Sequence, residues 1–125
     1  MITEKQVLDI FYSLLKDSVS NLYKNAPADD IKQSAYTVIN TLGVPADSIQ
    51  TVTVNVNCYT LDLDKAKGIP DLSTLDETSL TVINTVHNIL TDFYSIEYEF
   101  GKVLREPALA MHYTNNRFRI TFLNN

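Results

Sequence analysis

From Thr51 to Leu61 the chain alternates strictly: Val52, Val54, Val56 and Cys58 are apolar, while Thr51, Thr53, Asn55, Asn57 and Tyr59 between them are mostly polar. Successive side chains of a strand point to opposite faces, so this run predicts a strand with one face on a core and the other on water or another subunit. A strand of that kind belongs to an antiparallel sheet, and its apolar face needs a covering layer.

Amphipathic segments on either side can supply that layer. Thr3 and Gln6 have capping-box spacing, and Val7, Ile10, Phe11 and Leu14 fall on one stripe, which predicts a helix over roughly residues 4 to 17. Thr74 and Glu77 repeat the capping-box spacing, and Val82, Ile83, Val86, Ile89, Leu90 and Phe93 form a broad stripe, which predicts a second helix over 74–93. Val19 to Tyr23 reads either as a short strand or as more of the first helix, and residues 25–30 as a loop. Ala35 to Leu42 is a strand stopped by Gly43-Val44-Pro45.

Asp62 to Asp71 is a polar loop able to project toward a partner. Tyr94, Ile96, Tyr98 and Phe100 alternate with Ser95, Glu97 and Glu99, a strand with an aromatic face. Arg105-Glu106-Pro107-Ala108 reverses the chain, and Leu109–Tyr113 and Phe118–Leu123 close the sheet around a hairpin or bulge at Asn115-Asn116. The expected fold is α+β: a single domain over 1–125, a two-layer sandwich in which two helices cover a mostly antiparallel sheet of about four to five strands. A hydrophobic share of 45% in 125 residues suffices for one core.

Little in the sequence points to chemistry. The histidines are His87 and His112, the sole thiol is Cys58, and three unclustered glycines offer no phosphate-binding loop. No zinc-ligand spacing occurs, and Asp62-x-Asp64 lacks the companion carboxylates of a calcium loop. The expectation is no enzyme, no cofactor and no metal. The enzymatic alternative would draw on Asp62, Asp64, Glu97, Glu99 and His112 as acid/base groups. A net charge of −5 opposes a polyanion as main ligand, so no specific nucleic-acid binding is expected. The N-terminal residues enter an amphipathic pattern directly, without signal-peptide character, and no apolar run is long enough for a bilayer. The expected setting is a cytoplasm.

The candidate interface residues are Asn55, Asn57 and Tyr59 on the polar strand face, Lys65 and Lys67 on the projecting loop, and Arg117 and Arg119 on the last strand. Taken together, the helix Val7–Leu15, the strands Tyr36–Asn40 and Val52–Tyr59, the loop into helix 74–93 and the closing strands Tyr94–Phe100 and Arg117–Phe122 resemble the tail completion and tail terminator proteins of tailed bacteriophages. The resemblance implies a structural protein of a phage or prophage, assembled in the host bacterial cytoplasm and resident in the virion. It also implies a homo-oligomeric ring, typically a hexamer, that joins head to tail through contacts with neighbouring neck and tail proteins. An acidic chain suits a channel that DNA must traverse without sticking. The alternative is a small bacterial adaptor that recognises a protein at an exposed sheet edge.

Overall fold

The computed structural model describes residues 2–26, 33–43 and 50–123. Two helices, α1 (Glu4–Leu15) and α2 (Leu72–Val86), lie on one face of a sheet built from β1 (Leu22–Lys24), β2 (Ala35–Thr41), β3 (Thr51–Leu61), β4 (Ile89–Leu90), β5 (Tyr94–Glu106) and β6 (Met111–Phe122). The spatial order is β1-β2-β3-β6-β5-β4. The α+β class stands, but among the described residues the sheet has six strands rather than four to five, and it is mixed: β1 runs parallel to β2 while every other pair is antiparallel. It curls into a half-barrel.

The β3 alternation translates directly into packing. Val52, Val54, Val56 and Cys58 are at most 1% exposed and meet Ile39, Phe118 and Ile120 from the flanking strands and Val7, Phe11, Leu15, Val82 and Val86 from the helices. Each such side chain contributes about 1.5–3 kcal/mol by leaving water. Burial also pushes the Cys58 thiol pKa up, which keeps it protonated and inert. At the start of α1 both halves of the capping box form: Thr3 Oγ1 accepts from the Gln6 amide at 3.2 Å and Gln6 Oε1 accepts from the Thr3 amide at 2.9 Å.

Several boundaries differ from the sequence expectation. The cap of α2 is Asp71, which accepts from both the amide and the hydroxyl of Thr74 at 3.1 and 2.7 Å, so the helix begins before Thr74. It ends at Val86, because His87 is extended and Asn88 is left-handed at φ 55°. Ile89 and Leu90 therefore leave the helical stripe and pair with β5. That strand continues to Glu106, so Arg105 and Glu106 belong to it, and the reversal falls at Pro107–Ala110 with Ala110 left-handed at φ 51°.

A bulge between Tyr98 and Phe100 resets the pleat. Tyr98 packs on Phe118 in the core, whereas Phe100 turns to the opposite face beneath the Arg117 guanidinium, 5.1 Å from the ring centre. No hairpin interrupts β6: Asn115 and Asn116 sit mid-strand, and Asn116 is 1% exposed and donates to Ser79 Oγ of α2 at 3.0 Å. Residues 27–30 of the expected 25–30 loop, and Val44 and Pro45 of the expected turn, lie outside the described residues.

Candidate interaction surface

The sheet face turned away from the helices carries most of the candidate residues. Asn55, Asn57, Tyr59, Arg117 and Arg119 all project from it, since they occupy the same pleat phase on β3 and β6. Lys65 and Lys67 stand apart from these, exposed on the loop after β3.

Two cross-strand arrays organise this face. Tyr23, Tyr36, Tyr59 and Tyr113 form a row across β1, β2, β3 and β6; Tyr59 stacks on Tyr36 at 4.9 Å and on Tyr113 at 4.5 Å, and Tyr36 meets Tyr23 edge-on at 6.4 Å. The row joins Val38, Leu61 and Met111 in a second, smaller core. Further along the strands, Asn55 donates to Asn40 at 3.0 Å, Asn115 donates to Asn55 and Asn57 at 3.1 and 2.6 Å, and Arg117 Nε donates to Asn55 at 3.3 Å. Arg119 is exposed and paired with Glu97 at 2.8 Å.

Tyr59 and Asn55 are therefore knit into the sheet. Asn55 is 6% exposed, and Tyr59 is clamped between two rings. Burial, with Tyr113 and Tyr36 next to it, pushes the Tyr59 phenol pKa up to about 12. A raised phenol pKa favours the folded state below the unfolded value near 10 and loses that contribution as pH rises through about 12. Ultraviolet titration is expected to show one tyrosine ionising near pH 12, lost in Tyr59→Phe. If Tyr59→Phe leaves the tyrosinate titration between pH 10 and 12 unchanged apart from an ordinary phenol, the clamp is not as described.

The projecting loop is held at both ends. Leu63 and Asp64 bridge Ile69, Asp64 Oδ1 accepts from the Lys67 amide at 3.0 Å, and Gly68 at φ 66° lies under the Arg105 side chain. A Cβ at Gly68 would come within 2.5–2.6 Å of that guanidinium. Gly68→Ala should cost about 1–2 kcal/mol, from the left-handed backbone and displacement of Arg105; an unchanged melting temperature would show that the loop does not rest on Arg105.

The residues of the enzymatic alternative do not converge. Asp62 and His112 meet at 2.6 Å on the helix side, both nearly buried, whereas Glu97 pairs with Arg119 on the opposite face and Asp64 caps the loop. Among the described residues no three His, Cys, Asp or Glu side chains cluster as metal ligands would, and no helix is long and apolar enough to cross a membrane.

Sequence reasoning did not reach the second half of β5. Phe100 and Val103 are 44% and 39% exposed there, and a groove of about 340 Å3 runs between β5 and α2, lined by Leu80, Ile83, Tyr98, Val103, Thr114 and Asn116. Leu90 and Phe93, assigned by periodicity to a helical stripe, are exposed at the β4–β5 turn.

The geometry defines a curled mixed sheet with two helices on one face and an assembly of cross-strand contacts on the other. No protein-family model matches the chain, and no curated protein matches it. Among solved structures, the fold is similar to a chain of the native gene transfer agent virion particle, with a TM-score of 0.51 at 10% identity over 90% of this chain and 84% of that one. The likeness is one of fold.

Proposed function

We propose that this protein is a structural component of a phage-type particle, acting through protein–protein contacts without catalysis. The observation that carries the reading is the fold shared over nearly the whole chain with a protein of the gene transfer agent virion. Such wide coverage makes the likeness one of complete architecture rather than of a common motif. The finer reading is the tail completion or terminator role: a homo-oligomeric ring at the head–tail junction, in contact with neck and tail neighbours, assembled in the bacterial cytoplasm and kept in the virion. Exposed Leu90, Phe93, Phe100 and Val103 supply apolar contacts of the kind such docking needs.

The test is solution mass by light scattering across a concentration series, with negative-stain imaging of the same fractions. Closed rings are the expected result. A strict monomer or an open, non-circular oligomer at every concentration would defeat the ring. The open backbone edge of β5 favours the adaptor as the second reading, and a discrete stoichiometry with one partner and no ring would put it first.

A further inference from the structure

Strand β5 is covered unequally on its two sides. β6 pairs with it from Tyr94 to Glu106, whereas β4 reaches only Ile96 and Ser95. From Glu97 to Glu106 its outer edge is open among the described residues.

The direction of each backbone group follows from the ladder. The amide of Phe122 bonds Gln50, and the amide of Asp62 bonds Ala110, so the even residues of β6 face β3; the amide of Leu123 bonds Phe93, so the odd residues face β5. In the register Phe100↔Arg117, Lys102↔Asn115 and Leu104↔Tyr113 these pairs exchange hydrogen bonds. The amides and carbonyls of Gly101, Val103 and Arg105 consequently point away from the sheet. An edge of this length is a template for another strand.

We propose that a second copy of this chain adds its own β5 to this edge, antiparallel, about a two-fold axis through Lys102. The fit is one of length, phase and chemistry. The open stretch is bounded by β4 at one end and Pro107 at the other, and an axis at Lys102 lays Tyr98 opposite Glu106 of the copy, filling the stretch without reaching β4. The same axis sets Gly101 opposite Val103, so outward amides meet outward carbonyls. It sets Phe100 against Leu104 twice, on the sheet face away from the helices, an apolar pair of the kind that stabilises adjoining strands. Lys102 then faces its own copy; that like-charge pair weakens the contact and keeps it reversible. The contact is isologous and separate from any head-to-tail contact that closes a ring.

Disulfide trapping of the full-length protein tests this. The central pair would be a non-hydrogen-bonded one with Cα atoms about 4.5 Å apart, within disulfide range, and the native Cys58 is buried at 1% exposure. With copper-phenanthroline as oxidant, Lys102→Cys should convert to covalent dimer nearly completely, whereas Asn84→Cys on the exposed side of α2 should not. Equal trapping of the two would overturn the proposal. Val103→Pro removes an outward amide without touching the β5–β6 bonds and should weaken the dimer at least about 10-fold in sedimentation equilibrium while leaving the circular dichroism intact. Unchanged dimerisation in a folded Val103→Pro would also overturn it, and if that variant misfolds the cysteine result decides. Rings without Lys102→Cys trapping would defeat the two-fold contact alone; trapped dimers without rings would defeat the ring alone.

Discussion

Val54→Asp is expected to leave the chain unfolded or insoluble at neutral pH. Val54 is 0% exposed at the centre of β3, opposite Phe118 of β6 and within the cluster that includes Phe11 and Val82. A carboxylate there has no partner, and its uncompensated desolvation costs several kcal/mol against a typical total stability of about 5–15 kcal/mol. Val54→Ala, losing two methyl groups and leaving a cavity, should cost about 2 kcal/mol or more and still melt cooperatively. Thr53→Asp, one residue earlier, points to the other face across from Arg119 and should keep the fold. Thermal unfolding of the three variants reads the pleat directly. A folded Val54→Asp, or equal damage from Thr53→Asp, would contradict the burial of this face.

His112→Leu is expected to destabilise by about 3–5 kcal/mol, because it strips the partner from a buried acid. The Asp62 side chain is 1% exposed, its Oδ1 accepts from His112 Nδ1 at 2.6 Å, and its Oδ2 has no hydrogen-bond partner among the described residues. Among the described residues the imidazole is the one side-chain hydrogen-bond partner that offsets desolvation of the carboxyl. Replacing both, as Asp62→Leu with His112→Leu, removes the buried polar groups together and should recover most of the loss. Denaturant unfolding of both single variants and the double gives the coupling energy. A His112→Leu cost below about 1 kcal/mol would mean that the pair does not stabilise this end of β3 and β6.

Strand β3 is legible in the sequence because period 2 and burial coincide at Val52, Val54, Val56 and Cys58. The Thr3–Gln6 box was legible because capping is local. The end of α2 was not: Ile89, Leu90 and Phe93 continue the helical period, and the left-handed Asn88 that breaks it carries only a single weak signal. Strict alternation puts Phe100 on the core face with Tyr98, whereas one bulged residue inverts every side chain beyond it. Asn115-Asn116 looked like a turn because asparagine tolerates one, yet a buried donor satisfied by Ser79 outweighs that local preference.

The surface was legible only in part, for a similar reason. Alternation put Asn55, Asn57 and Tyr59 on one face, but which rings and amides fill the space around them depends on Tyr36, Tyr113, Asn40 and Asn115 from strands paired across long sequence separations. The parallel pairing of β1 with β2 and the open side of β5 are likewise consequences of strand order, which no local pattern contains.

The proposed function makes this chain a structural part of a phage-type particle. Quantitative mass spectrometry of density-gradient-purified particles from cells that make it tests that directly. The expected result is that its peptides co-sediment with the particles at a fixed ratio to their major tail and capsid proteins. Peptides confined to the particle-free soluble fraction would contradict it.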